Sequence, residues 1–146
     1  MIRHGQLADV SSLATLAQKL CPNHTVDAFE KEIQEAITKP NVAFFLAFTE
    51  NQPIAFAQCQ LRHDYVEGTN SSPVGYLEGI YVRQRYRQQG IASELLTACQ
   101  TWAKHNYCTE FASDCEIENN MESLKFHLSH GFIEANRLIC FSKQLT

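Results

Sequence analysis

Apolar residues near the start of the chain recur at helical spacing. Val10, Leu13, Leu16, Ala17 and Leu20 fall on one face of a helix that Asp9 is placed to cap. Pro22 ends that segment. A second helix is predicted from Asp27 to Thr38, with Asp27 and Glu30 spaced as a capping box and Pro40 closing it. Ahead of both, Ile2-Arg3-His4 reads as a short opening strand. The period then shortens. Val42 to Phe48 is a Phe-rich strand, Glu50-Asn51-Gln52-Pro53 a turn, and Ile54 to Arg62 the returning strand of a hairpin. Asp64 to Pro73 reads as a loop and Gly75 to Val82 as a third long strand. Helical spacing returns with Ile91, Leu95, Cys99, Trp102 and Ala103, which predict a helix over Ile91–His105. A short strand follows at Glu110–Asp114, then a helix at Asn119–Ser129, a turn at Gly131-Phe132 and a closing strand from about Glu134 to Lys143. The order β-α-α-β-β-β-α-β-α-β predicts a mixed α/β fold, and 146 residues predict one domain spanning 1–146.

Composition agrees with a folded core, since 45% of residues are hydrophobic and only 19% charged. The net charge of −4 disfavours nucleic-acid binding, which needs a basic face, and suits a cationic small substrate. No apolar run is long enough to span a membrane, and the N-terminus has no cleavage pattern. Six cysteines, at 21, 59, 99, 108, 115 and 140, show no C-x-x-C pair. They predict reduced, buried thiols in a cytoplasmic protein. No metal-ligand cluster is evident, and His127-x-x-His130 reads as a helix surface pair.

Against this acidic background, residues 83–92, R-Q-R-Y-R-Q-Q-G-I-A, place three arginines within five residues at a strand-to-helix joint. A helix N-terminus carries unpaired N–H groups and partial positive charge. A glycine there lets a ligand approach the backbone, so Arg87, Gln88, Gln89, Gly90, Ile91 and Ala92 have the design of a phosphate site. Neither G-x-x-x-x-G-K-S/T nor G-x-G-x-x-G is present. Two acids also stand out. Glu78 interrupts an apolar strand and Asp114 ends another; each faces either solvent or a cleft that needs a carboxylate.

Val82-x-x-x-x-Arg87-x-x-Gly90-Ile91-Ala92, between an apolar strand and an amphipathic helix, resembles the acetyl-CoA pyrophosphate loop of the GNAT N-acetyltransferases. The element order resembles that family over essentially the whole chain. Narrower stretches resemble the aminoglycoside 6'-N-acetyltransferases: Tyr65–Thr69, Ser72–Tyr81, Trp102-Ala103-Lys104, Cys108–Asp114 and Phe141-Ser142-Lys143. The resemblance implies a single GNAT domain whose mixed central sheet has a splayed strand pair and flanking helices. It implies acetyl transfer from acetyl-CoA to the 6'-amine of aminoglycoside antibiotics, without a metal, by a homodimer whose C-terminal strands join subunits.

The same resemblance assigns roles. Backbone groups of Ile80, Tyr81 and Val82 pair with the pantetheine arm, with a β-bulge near Gly79 opening the strands, and Asn119 binds the cofactor arm. Glu78 acts as general base through a water, and Asp114 binds substrate ammonium groups; these two roles are interchangeable on sequence grounds. Tyr65, His24 and Glu134 are further substrate-binding candidates. Two positions depart from the pattern. Cys21 stands where many relatives have Trp, which changes the pocket wall, and His127 stands where many GNAT enzymes place a general-acid Tyr. A GNAT enzyme for polyamines or another small cationic amine is the alternative, and an inactive CoA-binding sensor the third reading.

Overall fold

Strict alternation in the first hairpin strand determines where the two layers of core form. Phe44, Leu46 and Phe48 face one side of the sheet, and Ala43, Phe45 and Ala47 the other. A computed structural model of the chain describes residues 1–116 and 120–145. Its elements are β1 (Ile2–His4), α1 (Val10–Leu20), α2 (Val26–Ala36), β2 (Val42–Thr49), β3 (Gln52–Arg62), β4 (Val74–Val82), α3 (Ile91–His105), β5 (Phe111–Ser113) and α4 (Met121–Ser129). The sheet order is β1-β2-β3-β4-β5, antiparallel except for the parallel β4–β5 pair. Helices α1 and α2 cover one face through Leu13, Leu16 and Ile33 on Phe44, Leu46 and Phe56. On the other face, Leu95, Leu96 and Cys99 of α3 pack on Ala55, Ala57 and Leu77. No described helix is long and apolar enough to cross a membrane.

Local chemistry differs from the sequence expectation at two helix starts. Asp9 stands at the cap of α1, but its carboxylate accepts the Gln6 N–H at 2.8 Å and two Arg3 guanidinium bonds at 2.7 Å each. Helix α2 is capped by Thr25, whose Oγ1 accepts the Ala28 N–H at 3.1 Å, rather than by an Asp27–Glu30 box. The Arg3 hydrogen bonds hold the buried Asp9 carboxyl below the usual carboxylate range. A depressed folded value means stability that is present above about pH 4 and is lost as pH falls through the folded value. Asp9→Ala is therefore expected to cost about 2 kcal/mol at pH 7 and much less near pH 2. Urea denaturation at the two pH values checks this.

The closing strand expected over 134–143 does not form: the described residues 132–145 adopt neither strand nor helix. Ile133, Leu138, Ile139, Phe141 and Leu145 are exposed there. The sheet ends at β5, whose three residues offer too short an edge to hold a ten-residue strand. The cysteine expectation holds for Cys59, Cys99 and Cys108, which are buried; Cys21 and Cys140 are exposed. The hydrogen bond with Cys99, and then burial, push the Cys59 thiol far up, so it stays protonated.

Candidate functional site

The centre of the site is one extra residue. Gln58 of β3 stands opposite Gly79, but Cys59 stands opposite Leu77, so Glu78 has no partner and forms a β-bulge. The bulge resets the alternation. Leu77 and Ile80, three apart, both face the core under α3, while Gly79 turns toward Leu20 of α1. A Cβ on Gly79 would meet only that Leu20 methyl, at 3.4 Å, so glycine is not what makes the bulge. The bulge falls on Glu78, one residue before the position expected from sequence.

Below the bulge, β4 pairs with β5 over Gly75–Leu77 alone. Above it the two strands separate, and the edge of β4 from Glu78 to Val82 has no strand partner on that side among the described residues. The Arg83 N–H donates to the Ile54 carbonyl at 2.9 Å. Backbone groups alternate edges along a strand, so Tyr81 is turned into the β3 ladder as well. Ile80 and Val82 present their N–H and C=O groups to the open edge, and the Val82 carbonyl accepts Arg87 Nε at 2.8 Å. Of the three residues named from sequence, Ile80 turns both backbone groups to that edge, Val82 keeps its N–H free there, and Tyr81 has neither.

The strand continues into the arginine-rich turn, where Gln84–Tyr86 make a short 3-10 turn and Gln88 and Gly90 have φ of 63° and 84°. Both are left-handed, a conformation that favours glycine. Gly90 caps α3 without a side-chain cap bond, and Glu94 is the first residue to donate into the helix, to the Gly90 carbonyl at 3.0 Å. The N–H groups of Gly90, Ile91, Ala92 and Ser93 thus lack helical acceptors. Nothing lies within 4 Å of the point where a Gly90 Cβ would be. A helix start of this kind is the arrangement in which anions bind, and the Arg87 guanidinium three residues earlier is held by the Val82 carbonyl and lies 3.9 Å from Glu122. Gln89 is exposed on the same turn, and Asn119 lies outside the described residues.

Beside the splay the two singled-out carboxylates belong to one chain of contacts. Arg62, at the end of β3, donates Nε and a terminal nitrogen to both Glu78 oxygens at 2.9–3.0 Å. Its guanidinium carbon lies 3.4 Å over the Tyr76 ring. The Tyr76 hydroxyl donates to Asp114 Oδ2 at 2.5 Å. Burial, and then that bond, push the Tyr76 phenol above its ordinary value, which keeps it a donor. The Arg62 and Glu78 side chains are 37% and 21% exposed, so their pair contributes only about 1 kcal/mol. Arg62 and Tyr76 escaped the sequence reading. Tyr76 stands two residues before Glu78, but nothing in spacing alone pairs an arginine across the hairpin with either.

Arg62 continues into a polar depression of about 400 Å³ whose lining includes His63, Asp64 and Tyr65. Tyr65 is 76% exposed, a rim position. Cys21 and His24 are exposed beyond the end of α1, and His24 packs edge-on against Phe29. Glu134 is not joined to the carboxylate chain; it is held by Arg137. His127 has both ring nitrogens engaged, Nδ1 to the Ser123 carbonyl at 2.7 Å and Nε2 to Ser113 Oγ at 2.8 Å. Only a donor satisfies a carbonyl, so Nδ1 carries hydrogen, and the imidazole ties α4 to β5. Among the described residues no cluster of His, Cys, Asp or Glu is placed to hold a metal ion.

Comparison with known proteins agrees with this geometry. The model of the acetyltransferase (GNAT) family matches residues 10–132. The aminoglycoside N(6')-acetyltransferase type 1 of Salmonella typhimurium is 40% identical over 129 residues, 88% of each chain. That of Acinetobacter baumannii is 39% identical over 145 residues, 99% of this chain and 96% of the relative. The structure of AAC(6')-Iy with the bisubstrate analogue CoA-S-monomethyl-acetylneamine superposes with a TM-score of 0.92 at 37% identity, covering 99% of this chain and 98% of that one.

Proposed function

The chain belongs to the acetyltransferase (GNAT) family, and from that premise we propose that it is an enzyme acetylating the 6'-amine of aminoglycoside antibiotics, with acetyl-CoA as donor and drug resistance as the consequence. The carrying observation is the bulge that sets the Glu78 carboxylate at the mouth of the β4–β5 splay, with an open anion turn at the far end of the same strand. Relatives at about 40% identity over most of the chain bear that activity in their names, and one neighbour holds CoA joined to an acetylneamine.

The residues fit the donor. Free N–H groups at the start of α3, with Arg87, suit a pyrophosphate. The open backbone of Ile80 and Val82 suits an extended pantetheine amide chain added as a strand, and one of these N–H groups is placed to hold the thioester oxygen. The bound thioester supplies an acyl carbon that the amine attacks, and C–S cleavage releases CoA as its thiol. The amine enters as an ammonium and must lose a proton first. Glu78 takes that proton through a water, and Asp114, fixed by Tyr76, holds the ammonium groups of the drug. Holding both reactants in line along one splayed strand pair supplies much of the acceleration. Tyr65, His24, Cys21 and Glu134 remain candidates for the pocket rim, and Asn119 for the cofactor arm. His127, engaged at both nitrogens, is assigned a positioning role between α4 and β5, and solvent supplies the proton that the departing thiolate takes up.

The expected result of a thiol-release assay is turnover with tobramycin or kanamycin, and none with a drug lacking the 6'-amine. Turnover on spermidine alone would move the acceptor to polyamines, and acetyl-CoA binding without any turnover would favour a sensor.

We further propose that the enzyme works in the cytoplasm, where acetyl-CoA is found, as a homodimer. The unpaired tail with five exposed large apolar side chains is the observation behind the dimer. Sedimentation is expected to give a dimer for the full chain and a monomer after removal of residues 133–146; a monomeric full chain rejects the assembly.

A further inference from the structure

Arg62 is a cation already sitting where the proposed function needs a cation to arrive. Its guanidinium takes both oxygens of Glu78, and it lies flat on the ring of Tyr76, whose hydroxyl is spent on Asp114. The two carboxylates proposed to receive the substrate amine are therefore bridged, in the free protein, by an arginine and a phenol. The guanidinium takes three of the carboxylate's acceptor positions, so a water that is to take up the amine proton must share Glu78 with a fixed positive charge that weakens it as a base. The pair is also partly solvent-exposed, and exposed ion pairs are weak enough to exchange.

The geometry points to Arg62 as a resident counter-ion that the substrate's ammonium groups displace, and thereby as a specificity-determining residue. This rests on the aminoglycoside reading of the site. A tethered guanidinium competes at a high effective concentration. An acceptor with one ammonium group merely exchanges one cation for another at Glu78 and gains little. A polycation keeps further ammonium groups for other acidic positions such as Asp114 and Asp64, and displaces Arg62 readily. Arg62 thus selects against small monoamines that would otherwise fit an acidic cleft. The freed guanidinium remains beside the polar depression lined by His63 and Tyr65, where it can be solvated.

The test compares the full-length protein with Arg62→Met and Arg62→Lys on two acceptors: kanamycin, and 6-amino-6-deoxyglucose, which has the acceptor amine and no other cation. Arg62→Met is expected to raise kcat/KM for the monocation by about tenfold and to lower KM for kanamycin about threefold, with the lysine variant between. Equal or lower kcat/KM for the monocation overturns the proposal and makes Arg62 a fixed strut for Glu78. A second readout is independent of turnover. The Arg62 Nε–H resonance, slowed in exchange by the ion pair, is expected to shift and lose protection when kanamycin is added with CoA. An unmoved, protected resonance at saturating kanamycin also overturns it. If the unaltered protein acetylates no aminoglycoside, the underlying reading of function fails, and the same titration still reports whether a polycation displaces Arg62.

Discussion

Glu78→Gln is expected to lower kcat by about 10² to 10³ while leaving KM for acetyl-CoA within about twofold. The amide is nearly isosteric with the carboxylate and keeps one oxygen to accept from Arg62, so the bulge and the fold survive. What is lost is a base. An amide cannot take the proton that leaves the ammonium, directly or through a water. Thermal unfolding within a few degrees of the parent would show that the loss is chemical, since a partly exposed pair of this kind holds about 1 kcal/mol. Asp114→Asn is the matching variant. Its amide oxygen still accepts from Tyr76, but the negative charge facing the substrate is gone. Its expected signature is a raised KM for the aminoglycoside, about tenfold, with a smaller fall in kcat. A kcat collapse in Asp114→Asn together with a near-normal Glu78→Gln would exchange the two roles.

That the pair can be tested this way depends on what was and was not legible in the chain. Helix α3 was legible to the residue, because five apolar positions at helical spacing begin directly after Gly90. The start of that helix at Gly90 was legible for the same reason: a glycine between a strand and a helix announces an N-terminus. Glu78 and Asp114 were legible as charges out of place in apolar runs, which is a statement about desolvation. Their connection was not. It runs through Arg62 and Tyr76, brought together by a register in which β3 and β4 slip by one residue at Cys59. Register is a tertiary property, and a one-residue slip changes every facing pair beyond it. The tail also reads as a strand over 134–143, from the Gly131-Phe132 turn before it and the family's element order; neither reports whether a partner edge exists. The tail has an apolar run, Leu138–Phe141, and the β5 end of its sheet offers an edge of only three residues to receive it.

The second large effect is expected at the turn beyond β4, and a second glycine, just after α4, allows a controlled comparison. Gly90 and Gly131 have φ of 84° and 85°, and at each the position of an absent Cβ has nothing within 4 Å. Alanine at either site meets the same left-handed strain, about 1–2 kcal/mol, and no clash. Gly90→Ala and Gly131→Ala are therefore expected to lose similar stability in denaturant melts. Their kinetics should diverge. Gly90 is the residue from which the unpaired N–H groups of α3 start, and under the proposed function a pyrophosphate must reach hydrogen-bond distance of that backbone. A methyl group there holds the phosphate off, and KM for acetyl-CoA should rise at least about tenfold, with kcat at saturation changing much less. Gly131 instead follows the C-terminal end of α4, where a helix presents carbonyls and not N–H groups, and KM should stay within about twofold. Equal KM for the two variants would mean that the turn after β4 does not bind the donor's phosphates. The arginines at 83, 85 and 87 would then be a charged surface and nothing more.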